Sequence, residues 1–224
     1  MIRALVFDLD GTIVRFSIDY RAARADVVRA LVKMGLPSSL FSVNESTFRN
    51  LERAELYVRS NGGGEEDVRR IRSLVYSIAD KYELEAAKTT DLLPGVLDTL
   101  EVLRGMGLKM GIFTIAGRLS VNRVLERFQL RRFFSVVVTR DDADAIKPDP
   151  AHLRAALRGL GVDAEDVLVV GDTTWDVRCA KAAGAKAVGV TTGLSTREEL
   201  LNAGADYVID SITELPLIIR KFHS

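Results

Sequence analysis

Short runs of apolar residues alternate with amphipathic stretches along the chain from about residue 92 onward. The runs are rich in Val, Ile and Leu, a pattern typical of parallel strands that are buried on both faces. The stretches between them have apolar residues at helical spacing, and several are followed by a glycine suited to a helix C-terminus. The pattern predicts a series of βα units. Predicted strands are residues 2–8, 108–113, 134–139, 166–171, 186–190 and 206–209, and predicted helices are 95–106, 118–128, 150–160, 174–183, 196–203 and 212–221.

Residues 17 to about 90 break this alternation. Three charged, amphipathic stretches, at about 18–34, 44–60 and 65–85, predict helices, and no segment among them is typical of a strand. The first strand is therefore separated from the rest of its sheet by a helical insertion. We expect a core formed by residues 1–15 and 92–224 and a helical domain formed by residues 16–91.

The overall composition narrows the classes of partner. Lys plus Arg and Asp plus Glu number 31 each among 224 residues, so the formal charge is zero and no basic stripe favours nucleic acid or an anionic membrane surface. The single cysteine, Cys179, excludes an internal disulfide. The two histidines, His152 and His223, are too few for a zinc cluster, and we expect them at the surface or as helix caps.

The N-terminal apolar run reaches the charged Asp8 too soon for a signal peptide, and no apolar stretch approaches the length of a membrane span. We therefore expect a cytoplasmic protein.

Two pairs of carboxylates follow apolar strands. Asp8 and Asp10 lie two residues apart at the end of the first strand, so their side chains point the same way, and Gly11 permits a sharp turn after them. Asp172 and Asp176 follow another apolar run in the segment GDTTWD. Because the carboxyl ends of strands border the ligand crevice of an open α/β sheet, both pairs are expected there. Clustered carboxylates repel one another unless a cation neutralises them, and oxygen ligands suit Mg²⁺.

Two further residues indicate an anion site. Thr114 ends a predicted strand and offers a hydroxyl, followed by backbone N–H groups ahead of a predicted helix. Lys147 lies in IKPDP, where the two prolines stiffen the chain and fix the direction of the ammonium group. With the carboxylates, these residues supply the parts of a phosphoryl-transfer site: metal, nucleophile, acid/base group, hydrogen-bond donors and a cation.

At these four places the sequence resembles the haloacid dehalogenase superfamily of phosphohydrolases. The matching motifs occur in the family's order: DLDGT at 8–12, the strand that ends at Thr114, Lys147 in KPDP, and GDTTWD at 171–176. The resemblance covers the core, and the insertion lies where the family has a helical cap. It implies an α/β fold with a Rossmann-like, doubly wound parallel sheet as core and an inserted helical cap domain. The similarity is greatest to the phosphoglycolate phosphatase branch.

The resemblance implies that Asp8 attacks phosphorus and that Asp10 protonates the leaving oxygen and then activates water. The other roles it implies are catalytic and phosphate-binding for Thr114 and Lys147, phosphate-binding for Ile115, and binding of Mg²⁺ by Asp8, the backbone carbonyl of Asp10, Asp172 and Asp176. Relatives often have Asn where this chain has Ile115, so only the backbone N–H of that residue keeps its implied role.

The expected activity is Mg²⁺-dependent hydrolysis of a small, phosphoglycolate-like phosphomonoester through a phospho-aspartate. A phosphomutase of the same fold would share all four motifs. A 2-haloacid dehalogenase would also use Asp8 but has no need of Asp10, and a non-catalytic phospho-receiver would need no helical insertion. The expected partner is a small phosphorylated metabolite, whose carboxylate could contact Arg15, Arg118 or a basic residue of the cap. We expect a monomer or a homodimer. The cap is expected to lie over the crevice and to choose the substrate.

Overall fold

The central sheet is parallel throughout in the computed structural model of the chain, which describes residues 1–143 and 145–223 but not the side chain of His223. The expectation for His223 therefore lies outside the described side chains. The six strands have the order β3-β2-β1-β4-β5-β6, which is the order of a doubly wound sheet. This confirms the predicted α/β fold. The strands are β1 (Ala4–Phe7), β2 (Lys109–Phe113), β3 (Val136–Val138), β4 (Val167–Gly171), β5 (Lys186–Val190) and β6 (Tyr207–Ile209).

Helices occupy the amphipathic stretches. They are α1 (Tyr20–Lys33), α2 (Thr47–Ser60), α3 (Glu65–Thr89), α4 (Val96–Gly105), α5 (Arg118–Arg127), α6 (Pro150–Leu160), α7 (Thr174–Ala183), α8 (Arg197–Asn202) and α9 (Leu215–His223). The last one begins later than predicted, because the capping box of Ser211 and Glu214 starts a 3-10 turn over Ile212–Glu214 ahead of it. Within the described residues, no helix combines the length and apolar character needed to cross a membrane.

Both faces of the sheet are buried. Alternate residues of β1 and β4, such as Val6 and Val169, belong to an apolar cluster with side chains of α6, α7 and α8. Their neighbours along the strands, such as Leu5 and Leu168, are equally buried and point to the opposite face, because successive strand residues alternate. The near-continuous apolar runs of the sequence follow from this double burial.

The chain divides into two units, residues 1–17 with 89–224 and residues 18–88. The second unit consists of α1, α2 and nearly all of α3, and it has an apolar core of its own. Its fully enclosed residues include Val27, Leu31, Ala54 and Val75. The buried Asn50 side chain ties down the loop before α2, since it accepts from the N–H of Ser42 at 3.0 Å and donates to the Ser42 carbonyl at 2.9 Å.

The two passages of the chain between these units run side by side where they leave the larger one. Val14 forms an antiparallel bridge with Leu92, and the Arg15 N–H donates to the Asp91 carbonyl at 2.8 Å. Val14 also bridges to Asp10, which belongs to the tight turn that follows β1. The insertion therefore joins the larger unit directly beside the end of β1.

Candidate active site

A buried lysine links two of the predicted carboxylates. The Nζ atom of Lys147 lies 2.6 Å from Oδ1 of Asp8 and 2.6 Å from Oδ1 of Asp176. Asp8 directly follows β1, Asp176 lies in the first turn of α7, and Lys147 precedes α6. All three side chains are almost completely removed from solvent. The fold thus joins three segments that are far apart in the sequence.

Burial and charge act against each other in this group. Burial alone would lower the pKa of Lys147, but the charges of Asp176 and Asp8 outweigh it and raise that pKa above its usual range. Burial is also the largest influence on Asp8, and it raises the pKa of that carboxyl to about 6 against the attraction of Lys147. Near neutral pH the ammonium of Lys147 therefore faces an ionised Asp8.

Asp172 adds a third buried carboxylate at the end of β4, the strand next to β1. Its Oδ2 accepts from the N–H of Leu194 at 2.8 Å, while its buried Oδ1 has no hydrogen-bond partner among the described residues. Burial, followed by the nearby charges of Asp8 and Asp176, raises the pKa of Asp172 well above its usual range. An oxygen without a partner beside like charges is the environment that a bound cation would relieve.

Glycines leave the space that these carboxylates occupy. A Cβ at Gly193 would overlap Oδ2 of Asp172, and one at Gly171 would overlap the carboxyl group of Asp176. Gly11, with φ at +90°, turns the chain after Asp10 and would bring a Cβ to 2.6 Å from the same oxygen of Asp172. The crevice is therefore lined by glycine backbone at these positions, because any larger residue would occupy the space of the carboxylates.

Thr114 follows β2, which pairs with β1 on the other side from β4. It is buried, and its Oγ1 accepts from the N–H of Ala116 at 3.1 Å. The Ile115 carbonyl accepts from the guanidinium of the buried Arg140 at 2.9 Å. The loop after β2 thus begins with the hydroxyl group of Thr114 and is anchored by a hydrogen bond from Arg140.

The remaining predicted residues are placed differently. Asp10 is partly exposed in the turn after β1. Asp176 has both carboxylate oxygens engaged, because Oδ2 accepts from the Thr173 N–H at 3.0 Å and hydroxyl at 2.6 Å. Arg118 is half-exposed and pairs with Asp142 at 2.6 Å, whereas Arg15 is exposed.

Sequence reasoning missed three features of this site. Arg140 and the segment of residues 191–195, which contacts Asp172 through Leu194, carry no motif that the sequence analysis used. The expectation that His152 lies at the surface or caps a helix is wrong, because that side chain is fully buried and Asp149 caps α6. The Nδ1 atom of His152 accepts from the backbone N–H of Lys147 at 3.3 Å. A glycine shortly after an apolar strand, as at Gly193, was the available signal for the 191–195 segment.

Comparisons with known proteins agree with the geometry. A family model described as "Haloacid dehalogenase-like hydrolase" matches residues 5–190. The chain is similar to a phosphoglycolate phosphatase of Salmonella typhi, with 34% identity over 100% of this chain and 94% of the relative. It is 32% identical to a phosphoglycolate phosphatase of Escherichia coli O157:H7 over the same shares. Among solved structures, a hydrolase from Pseudomonas syringae is 27% identical, with a TM-score of 0.70 over 99% of this chain and 100% of the other.

The space at Gly193 can be tested by substitution. Gly193→Ala should lower the free energy of unfolding by about 1–3 kcal/mol, because the added methyl overlaps Oδ2 of Asp172 and displaces its bond to Leu194. Gly105→Ala is the matched control, since it adds the same methyl in open space at the end of α4 and should leave stability unchanged or raise it by up to about 1 kcal/mol. Urea unfolding measures both, and equal effects of the two substitutions would contradict the close approach.

Proposed function

Because the chain belongs to the haloacid dehalogenase-like hydrolase family, we propose that it is a Mg²⁺-dependent phosphatase that hydrolyses a small phosphomonoester through a phospho-aspartate on Asp8. The observation that carries this proposal is the buried contact of Lys147 with Asp8 and Asp176, next to Asp172. The substrate we favour is phosphoglycolate or a similarly small phosphorylated acid, in view of the relatives that match the whole chain.

Asp8 is the proposed nucleophile. Lys147 holds its Oδ1 at 2.6 Å, so the carboxylate has a fixed orientation toward a phosphorus atom in the crevice. With its pKa raised to about 6, Asp8 is more basic than an ordinary aspartate yet ionised at neutral pH, as a nucleophile must be. The bond from a carboxylate oxygen to phosphorus forms as the ester oxygen leaves, and the ammonium of Lys147 offsets negative charge on the phosphoryl group.

Asp10 is the proposed acid/base group. It is partly exposed in the turn two residues beyond Asp8, where it can exchange protons with a leaving oxygen and afterwards with water. When protonated, Asp10 gives its proton to the departing ester oxygen. When ionised, it takes a proton from the water that attacks the phosphorus, while the bond from phosphorus to the Asp8 oxygen breaks and inorganic phosphate leaves. The Thr114 hydroxyl and the N–H of Ile115 would bind phosphoryl oxygens at the end of β2.

The residues present fit a magnesium ion. The Asp8 and Asp172 side chains and the backbone carbonyl of Asp10 would hold it, and Oδ1 of Asp172 is a buried oxygen with no hydrogen-bond partner in the described residues. In the described part of the chain, no three His, Cys, Asp or Glu side chains form a metal cluster. When bound, the ion would neutralise negative charge on the reacting phosphate.

Asp176 is better suited to position Lys147 than to bind the ion, although it was expected among the metal ligands. One of its oxygens is taken by Lys147 and the other by Thr173. With three donors on its two oxygens, Asp176 has less capacity left for a metal than Asp172, whose Oδ1 accepts no hydrogen bond from the described residues.

We further propose that the insertion, residues 18–88, selects the substrate as a helical cap. Support comes from the chain passages, since Val14 bridges both to Asp10 and to Leu92, so the insertion is attached next to the proposed acid/base group. A cap that shields a reacting phosphate from water favours small substrates.

Substrate turnover tests the proposal. With Mg²⁺ present, release of inorganic phosphate should show a higher kcat/KM for phosphoglycolate and other small phosphorylated acids than for nucleotides or phosphopeptides, and chelator should abolish it. Isomerised hexose phosphate would indicate a phosphomutase instead, and release of halide from a 2-haloacid would indicate a dehalogenase. Phosphorylation of the protein without turnover would indicate a receiver.

The roles of the two N-terminal aspartates differ measurably. Asp8→Asn should abolish turnover and covalent labelling, because an amide of nearly the same shape is not a usable nucleophile. Asp10→Asn is its matched comparison and should lower kcat by roughly 10²–10⁴-fold, because it cannot transfer protons. Acid quench with peptide mapping locates the phosphate, and circular dichroism checks the fold. Wild-type turnover by folded Asp8→Asn would rule out the covalent route.

The raised pKa values predict how pH affects stability. Asp8, raised from 3.8 to about 6, and Asp172 bind protons more tightly in the folded state than in the unfolded state. In metal-free protein these two carboxyls should therefore lower the free energy of unfolding as pH rises from about 4 through about 6, whereas the lowered pKa of His152 contributes in the opposite sense. Asp172→Asn removes one of these charges, so near neutral pH its thermal midpoint should exceed that of the wild type by a few degrees, at about 2–4 °C per kcal/mol.

Adding Mg²⁺ should reverse this order, because the ion stabilises a folded state that binds it and Asp172→Asn removes a ligand. Asp163→Asn is the control, since it removes one carboxylate that makes no cap hydrogen bond and should respond to pH and Mg²⁺ as the wild type does. Calorimetry with and without chelator provides both comparisons. An unchanged midpoint of the wild type with Mg²⁺ would contradict the metal site.

A further inference from the structure

His152 is the one described histidine side chain, and it is fully enclosed in the first turn of α6. Asp149 begins this turn, because its side chain accepts from the Ala151 N–H at 2.8 Å and its carbonyl accepts from the His152 N–H at 3.2 Å. The imidazole is therefore held on a capped helix end five residues after Lys147. His152 has no role in the proposed reaction, so its burial needs another physical explanation.

The imidazole contacts Lys147 at the backbone. Its Nδ1 accepts from the Lys147 N–H at 3.3 Å, which leaves the other ring nitrogen to carry the proton of the neutral ring. This hydrogen bond ties the segment before α6 to the helix itself. The position of the Lys147 Cα is therefore set by the histidine as well as by the chain.

The imidazole also supports the far end of the same lysine through Phe113. The two rings are tilted by 51° with centroids 5.7 Å apart, and Nζ of Lys147 lies 3.8 Å from the centroid of the Phe113 ring. A cation this close to an aromatic face is attracted to it. His152 thus contacts both the backbone of Lys147 and the Phe113 ring that lies against its ammonium group.

Only a neutral imidazole can accept this hydrogen bond. Burial lowers the pKa of His152 to about 4, and the positive charge of Lys147 acts in the same direction. The backbone of Thr139 and the carboxylates of Asp176 and Asp142 raise this pKa, but their effect is smaller. The ring is therefore uncharged across the neutral range. It adds no second positive charge beside the lysine.

We propose that His152 is a positioning residue for Lys147, one that holds the ammonium at its 2.6 Å distances from Asp8 and Asp176 through the backbone N–H and the Phe113 ring. The kinetic consequence rests on the proposed function, whereas the positioning itself does not. A buried ammonium between two carboxylates tolerates little displacement, because its desolvation is offset only by close contacts. Small misplacements of catalytic groups can lower rates by about a hundredfold.

Three substitutions separate the acceptor from the packing. His152→Asn places an amide oxygen near the position of Nδ1, whereas His152→Gln places its amide near the other ring nitrogen. His152→Leu fills much of the space with no acceptor. We expect kcat for p-nitrophenyl phosphate to fall about tenfold to a hundredfold in the Leu and Gln variants, and the Asn variant to recover most of it.

A structural role alone predicts another result. Leu157→Ala, on the same helix and also buried, is the control that lowers stability without touching Lys147, and its kcat per folded molecule should equal that of the wild type. If all three His152 variants followed this control, with lower stability and unchanged kcat, the positioning role would be wrong.

Nuclear magnetic resonance of the unliganded protein tests the contact independently of turnover. Imidazole ¹⁵N shifts should identify the ring with its proton on Nε2, and the amide resonance of Lys147 should move in His152→Gln and return toward the wild type in His152→Asn. A proton on Nδ1, or an unmoved Lys147 amide, would overturn the proposal even if the protein is a phosphatase. The predicted resonances with no phosphatase activity would instead contradict the proposed function alone.

Discussion

The ammonium of Lys147, buried between Asp8 and Asp176, is the interaction on which the rest of the site depends. Removing the charge of Lys147 would leave two enclosed carboxylates without their shared cation, which is a large penalty in a protein interior. The group is tolerated because its contacts are short and because Phe113 presents a ring to the same ammonium. It joins the end of β1, the segment before α6 and the start of α7, so it also fixes these elements relative to one another.

The order of the strands explains why these groups meet. Because β1 lies between β2 and β4, the residues that follow the three strands, Asp8, Thr114 and Asp172, emerge at one edge of the sheet. Adjacent strands are about 4.8 Å apart, a spacing that brings charged ends into mutual range. The backbone at Gly171 packs closely against the Asp176 side chain, and the backbone at Gly193 packs closely against that of Asp172, so both carboxylates are confined to the crevice.

The balance of charge at this edge is the electrostatic argument for a divalent cation. Lys147 is one positive charge among three buried carboxylates, and the pKa values of Asp8 and Asp172 are raised first by burial and then by the neighbouring negative charges. Thr173 and Lys147 satisfy Asp176, whereas Asp172 keeps an oxygen without a hydrogen bond from the described residues. The two carboxylates thus differ in the hydrogen bonds they accept, which is the basis of the different roles proposed for them.

The sequence by itself determined the α/β class and all six strands, because a strand buried on both faces needs a continuous apolar run and each run here is bounded by polar residues or glycine. It also determined which residues to examine, since Asp8, Thr114, Lys147 and Asp172 follow strands or precede a helix in a recognisable order.

Only the tertiary structure decided what those residues contact. Three contacts join residues from separate segments: Asp176 with Lys147, His152 with the backbone of Lys147, and Arg140 with the carbonyl of Ile115. No local pattern encodes such contacts, because periodicity records which side of an element is buried and not which side chain from elsewhere packs against it.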